Sequence, residues 1–258
     1  IHVHLRDPDT SGHHEETIAS GSAAAVAGGF TTVCCMPNTT PAIDCHTVVQ
    51  SIQHRAAAVN LARIFAVACG TIGRKGEVVA PILELVESGA IAITDDGDGI
   101  ADSGVMRRIL SLVATADSVF MQHCQDQTLT LGASMHDGVT SARLGLVGWP
   151  RVAEEVMLER DLRLNREIGC HYHVQHISSG NSVDILRAAR EAGVPATGEV
   201  SPHHLLLTDE ACDGWNTNAK MNPPLREPSD IRALINGVAD GVITVLATDH
   251  APHSEAEK

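Results

Sequence analysis

Residues 31–69 read TTVCCMPNTTPAIDCHTVVQSIQHRAAAVNLARIFAVAC. Thr31–Met36 is a short apolar run of strand character. Thr47–Ala58 carries its apolar residues at helical spacing, and Arg63–Cys69 is a second short apolar run. Strand, helix, strand in direct succession is the unit from which parallel α/β folds are built.

The same rhythm runs outward in both directions. Further candidate strands are Ile1–His4, Ala90–Thr94, Ser118–His123, His171–His176, Ala196–Val200 and Val242–Thr248. Candidate helices are Glu16–Ala27, Val78–Glu87, Val105–Ala114, Ala153–Ile168, Ser182–Glu191 and Ser229–Ala239, several followed by the glycine that commonly ends a helix. Eight strands alternating with helices predict a (β/α)8 TIM-type barrel filling one domain, residues 1–258. An open doubly wound sheet alternates likewise with fewer strands, and neither a GxGxxG nor a Walker sequence favours it. The first residues already read as a strand and the chain stops soon after the eighth, so the barrel is expected to be truncated at both ends.

Composition narrows the function classes. A net charge of −14 argues against nucleic acid and anionic membranes as partners, and 2% aromatic residues leave no stacking platform for single strands. No apolar run reaches bilayer length, and no signal peptide opens the chain. Seven cysteines without CxxC or disulfide-like spacing read as reduced thiols of a cytoplasmic protein. Histidine is the anomaly: there are 15, several clustered with carboxylates.

In a barrel, polar groups at strand C-termini converge on one site. Those groups here are His2 and His4, Asp95 and Asp96, His123, His176 and Asp249. His2 and His4 share one face of a strand, because side chains alternate with period two. Taken singly, Asp95-Asp96-Gly97 is ordinary turn chemistry, and His123 or His176 fits a satisfied core histidine equally well. Jointly they form an imidazole and carboxylate set suited to two divalent cations, zinc foremost.

His2-Val-His-Leu-Arg-Asp-Pro8 resembles the HxHxR-[DE]-P signature of the class I dihydroorotases in the amidohydrolase superfamily. Met36-Pro-Asn-Thr39, Met221-Asn-Pro-Pro-Leu-Arg226 and Ala247-Thr-Asp-His-Ala-Pro-His253 are similar to three further signatures of that family, in the family's order. Asp9 departs from the usual glycine after the first motif. The resemblance implies a β-sandwich, built from flanking segments absent here, beside the barrel. It implies that His2, His4 and Asp249 bind one Zn2+ and that His123 and His176 bind a second. The anionic bridge is often a carboxylated lysine, but Lys75, Lys220 and Lys258 all lie elsewhere. One bacterial branch uses aspartate instead, which points to Asp96, with Asp95 as the alternative and a single-metal enzyme as the fallback.

The activity so implied is reversible hydrolysis of (S)-dihydroorotate to N-carbamoyl-L-aspartate in pyrimidine (UMP) biosynthesis. A metal-bound water is a nucleophile at neutral pH because its pKa falls from about 15.7 to about 7. Asp249 is the candidate general base, passing the proton to the leaving ring nitrogen. Arg6, two residues beyond His4 on the same strand face, suits the substrate carboxylate. The resemblance adds His4, Asn38 and His253 to substrate binding, with Asn222 on the ring amide. His203 and His204 are expected near or behind the site and His250 in a structural role, while His13, His14, His46, His54 and His136 read as surface or loop residues. His171 and His173 share the strand of His176 without being the expected ligand. Partner expectations from the family are a homodimer and association with aspartate transcarbamoylase. The rival readings are a hydantoinase, dihydropyrimidinase or allantoinase, which usually keep the bridging lysine, and a metal-free scaffold protein, whose ligand positions would have decayed.

Overall fold

The computed structural model describes residues 1–10, 16–255 and 258. The chain divides into two compact units, Ile1–Met121 with Thr248–Glu257, and Gln122–Ala247 with Lys258.

In the first unit, β1 (Thr32–Cys35), β2 (Arg63–Ala68), β3 (Ala92–Ile93) and β4 (Val119–Gln122, its last residue opening the second unit) pair in parallel in that order. The registers Cys35↔Ala66, Val67↔Ala92 and Ile93↔Phe120 link them. Parallel neighbours demand crossovers, which α1 (Ile18–Ala27), α2 (His46–Val59), α3 (Ile82–Glu87) and α4 (Ser103–Thr115) supply. Thr17 caps α1 through the Ser20 amide, and Asp102 caps α4 through the Val105 amide. Val105, Met106, Ile109, Leu110 and Val113 give α4 one buried apolar stripe. Cys34, Met36, Val67, Ala92 and Met121 meet in a core cluster, so the strand cysteines serve as small hydrophobes. All seven cysteines are free thiols; burial, with Cys34 alongside, pushes the Cys35 thiol up to about 12.

The elements expected at Ile1–His4 and from Val78 are among those shorter than anticipated. The strand at Ile1–His4 contracts to Val3, which bridges in parallel to Cys35 and to His250. It is nonetheless held on both sides, by Val3 N–H to Cys34 O (3.2 Å) and His4 N–H to His250 O (2.7 Å). The helix expected from Val78 begins at Ile82, because Val79 is committed to an antiparallel bridge with Thr71 and Pro81 has no N–H to continue a helix backwards.

In the second unit, β7 (His171–Val174), β8 (Ala196–Val200) and β9 (Val245–Leu246) are parallel and in order. They alternate with α6 (Val152–Ile168), α7 (Gly180–Glu191), the short α8 (Pro202–Leu206) and α9 (Pro228–Ala239). An additional parallel pair, β5 (Met135–His136) and β6 (Gly148–Trp149), spans α5 (Val139–Leu144). These two strands of two residues lie outside any longer apolar run and carry no alternation to read, which is why the sequence does not announce them. Met135, Cys212, Ala219 and Leu225 form the cluster beneath this excursion. α6 ends at Gly169, whose φ of 72° a residue with a Cβ adopts only at a cost. Its buried face includes Glu154, Asp161 and Asn165, each of them hydrogen-bonded. Gln122 and the Tyr172 hydroxyl both donate to Asp161 Oδ2 at 2.9 Å, and burial lifts this carboxyl to about 6.

Candidate metal centre

In the first unit, extended backbone on either side of Val3 turns His2 and His4 toward the same side. Both are buried, His2 completely. Asp96 follows β3, and Asp249 follows β9 in sequence, on the segment that returns to this unit. His2 Nε2 lies 3.4 Å from Asp96 Oδ1 and 3.2 Å from Asp249 Oδ1. His4 Nε2 lies 3.3 Å from Asp96 Oδ2 and 3.0 Å from Asp249 Oδ1. His2, His4 and Asp96 each offer a ligand atom within 4.8 Å of the others.

The adjacent aspartates have diverged. Asp95 accepts from the amides of Gly70 (2.8 Å) and Thr71 (3.0 Å) and from the Thr71 hydroxyl, so it fastens the end of β2. Burial raises its carboxyl above the ordinary range, and those same hydrogen bonds oppose the rise. Asp96 faces the two histidines. The turn closes at Gly97 with φ 87°, where a Cβ would come within 3.2 Å of the Arg74 guanidinium.

The donor set passes a chemical test for a cation. Asn38 Oδ1, an acceptor, is 2.8 Å from His4 Nδ1, so Nδ1 carries the proton and donates. Nε2 of His4 then faces the two carboxylates. Imidazole nitrogens and carboxylate oxygens gathered at 3.0–3.4 Å suit a positive charge among them. Metal bonds of about 2.0–2.1 Å in tetrahedral array place neighbouring donors roughly 3.3 Å apart. The spacing fits a divalent cation, with Asn38 orienting the His4 imidazole from behind.

Arg6 donates to His253 Nε2 at 3.2 Å. Contrary to the alternation expected from the sequence, Arg6 does not continue a strand face, because its φ of 52° takes it out of extended backbone. Asp249 is likewise at positive φ, 47°. Neither is glycine, and such outliers persist where surrounding contacts enforce them. Beside Arg6, buried Asp7 accepts from the Ile18 amide (3.0 Å) and pairs with Arg55.

In the second unit, His123 Nδ1 and His176 Nε2 stand 2.8 Å apart, their rings edge to face with centroids at 4.6 Å. Gln125 Oε1 lies 2.9 Å from His123 Nε2, so that nitrogen donates and Nδ1 presents its lone pair to His176. Gln125 is oriented by its own bond to Thr130 and also accepts from Asn222 at 3.3 Å. His173 is spoken for by Thr197 (2.8 Å) and Glu199 (3.2 Å).

The remaining histidines fall as follows. His46 pairs with Glu84, His54 is exposed, and His250 pairs with Glu16. His136 is not a surface residue: it is 1% exposed against buried Arg226, and burial lowers its pKa. Its strand of two residues gives no sign of that burial beforehand. His13 and His14 lie outside the described residues. His204 is buried beside Asn222: Nε2 donates to Pro223 O (3.0 Å), and Nδ1 accepts from Ser201 (2.6 Å). Nδ1 can accept only in the neutral ring, and burial lowers its pKa to about 3. An unfolded histidine titrates near 6.5, so between about pH 6.5 and 3 the unfolded chain holds more protons and stability falls as pH falls. From pH 7 to 5 the wild type is expected to lose about 2 kcal/mol more than His204→Gln in urea denaturation. Equal losses would show that His204 does not carry this acid sensitivity.

Gln125 and Glu199 are the site-adjacent residues that the sequence reading missed. Glu199 has a legible signal, a carboxylate inside the strand Ala196–Val200; Gln125 has only its place two residues after His123.

Parallel strands alternating with helices, with imidazoles and carboxylates that could hold a metal ion, define an α/β protein with a candidate metal centre. L-Hydantoinase from Arthrobacter aurescens matches 98% of this chain and 57% of its own at TM-score 0.80 and 23% identity, a likeness that shows the fold class, the (β/α)8 barrel. The chain belongs to the dihydro-orotase-like family, whose model matches residues 1–182. The dihydroorotase of Bacillus caldolyticus is 48% identical, and that of Bacillus subtilis (strain 168) 46% identical, over 258 residues. Both alignments take in all of this chain, which spans 60% of the length of each relative. No described helix is long and apolar enough to cross a membrane.

Proposed function

We propose that this chain is the metal-binding part of a dihydroorotase, which interconverts (S)-dihydroorotate and N-carbamoyl-L-aspartate in pyrimidine biosynthesis in the cytoplasm. The observation that carries the reading is the coupling around His4. One ring nitrogen meets the carboxylates of Asp249 and Asp96, the other meets Asn38, and Arg6 with His253 stands on the same two segments. A cation centre and a carboxylate-binding guanidinium so linked suit a cyclic amide that bears an acid group.

His2, His4, Asp96 and Asp249 would hold one Zn2+, and His123 with His176 would hold a second. Bound zinc supplies Lewis acidity and lowers the pKa of water. Arg6, Asn38 and His253 bind the substrate carboxylate, and Asn222 binds the ring amide. The Asp249 carboxylate, whose Oδ1 faces the imidazoles, takes a proton from the attacking water. The same carboxylate returns the proton to the ring nitrogen as the C–N bond breaks. We extend the proposal to a homodimer that associates with aspartate transcarbamoylase.

The test is turnover of dihydroorotate, hydantoin, dihydrouracil and allantoin by the full-length, metal-loaded protein. Turnover confined to dihydroorotate supports the reading; preference for a neutral ring moves it to the hydantoinases, and inactivity on all four overturns it. Arg6→Met is expected to raise KM for dihydroorotate about 100-fold, as loss of a charge-assisted contact does, with a much smaller change in kcat. A variant with unchanged KM would remove Arg6 from carboxylate binding.

A further inference from the structure

The five backbone amides from His176 to Gly180 are satisfied in an unusual way. His176 N–H donates to the Glu199 carboxylate (3.2 Å), and Ile177 N–H donates to the Glu199 carbonyl (2.9 Å). Ser178 and Ser179 both donate to Glu154, each at 3.1 Å, and Gly180 donates to Asp230 at 3.0 Å. Four of the five therefore end on carboxylates brought in from β8, α6 and α9.

This turn begins at a strained residue. His176 has φ 29°, a conformation a non-glycine residue holds only when its surroundings dictate it. Glu154 is 3% exposed and also accepts from the Ser178 hydroxyl at 2.5 Å. That hydroxyl in turn accepts from Arg226 Nε at 3.1 Å. Arg226, 2% exposed, donates further to Trp149 O (2.7 Å) and His136 Nδ1 (3.2 Å). It ends the segment Asn222-Pro-Pro-Leu-Arg226, and Asn222 reaches Gln125, which holds His123.

Burying a carboxylate and a guanidinium is costly, and apolar side chains of similar volume stabilise a fold as well or better. What such a network adds is fixed geometry. We propose that Glu154 and Arg226, acting through Ser178, are positioning residues: they hold His176 in its left-handed turn and keep the Asn222 segment registered against it. The inference rests on the reading of His176 as a ligand.

The test uses full-length Ser178→Ala, Ser178→Thr, Glu154→Gln and His176→Ala, with zinc affinity read by competition against a chromophoric chelator and Tm measured alongside. Ser178→Ala and Glu154→Gln are expected to weaken one zinc step about 10- to 100-fold, the range for residues that orient a ligand, and to spare the other. Threonine, which restores the hydroxyl, should recover most of that affinity. Wild-type affinity in both Ser178→Ala and Glu154→Gln, while His176→Ala loses an ion, overturns the positioning role and leaves the ligand reading standing. Parallel loss of both ions and of Tm without rescue by threonine also overturns it, in favour of plain structural support. An unaffected His176→Ala overturns the ligand assignment itself, and this inference with it.

Discussion

Asp249→Asn is expected to lower kcat for dihydroorotate by about 10^3- to 10^4-fold while KM changes no more than a few-fold. Asparagine keeps the size of the side chain and an oxygen to set against His2 Nε2 and His4 Nε2, now 3.2 and 3.0 Å from Oδ1. It cannot accept and return a proton at the pH of the assay. On the proposed reading the substrate carboxylate binds to Arg6, Asn38 and His253, which this change leaves in place. The loss should therefore fall on the chemical step. Steady-state kinetics on the metal-loaded protein decides the matter: a large rise in KM with kcat preserved would make Asp249 a binding residue.

Removing the metal should have the second large effect. Stripped with a chelator, the full-length protein is expected to lose at least 10^3-fold in activity and to regain it on adding zinc. Stability should fall too, because His2, His4, Asp96 and Asp249 bring two carboxylates within 3.0–3.4 Å of imidazole nitrogens in a buried space. A cation among these groups offsets the repulsion between the two carboxylates. Binding to the folded state alone stabilises by about 4 kcal/mol when free metal exceeds Kd 1,000-fold. A calorimetric Tm that rises with zinc in wild type, and rises far less in His2→Ala, is the expected result. An unchanged Tm and full activity after chelation would end the metal reading.

Much of the fold was legible because burial imprints a period. The stretch 31–69 alternates strand, helix and strand in sequence as it does in β1, α2 and β2. At Val3 and at Val245–Leu246 the apolar run locates the strand but overstates its length, and where a two-residue strand lies outside any such run, as at β5 and β6, no period survives to be read. His136 was misplaced for that reason.

The candidate ligands were legible one at a time, as residue types at strand ends. The sequence by itself determined which groups are available: two histidines flanking Val3, a doublet of aspartates before Gly97, histidines closing two strands, and an aspartate after the last one. Only the tertiary structure decided what each does. It set Asp95 against the amides after β2 and Asp96 against His2 and His4. It fixed which ring nitrogen of His4 and of His123 faces its neighbours, through Asn38 and Gln125. It also gave Arg6, His176 and Asp249 positive φ. The physical reason is that side-chain type follows from local chemistry, whereas a hydrogen-bond partner or a strained dihedral is imposed by residues distant in the chain, and no local pattern records it.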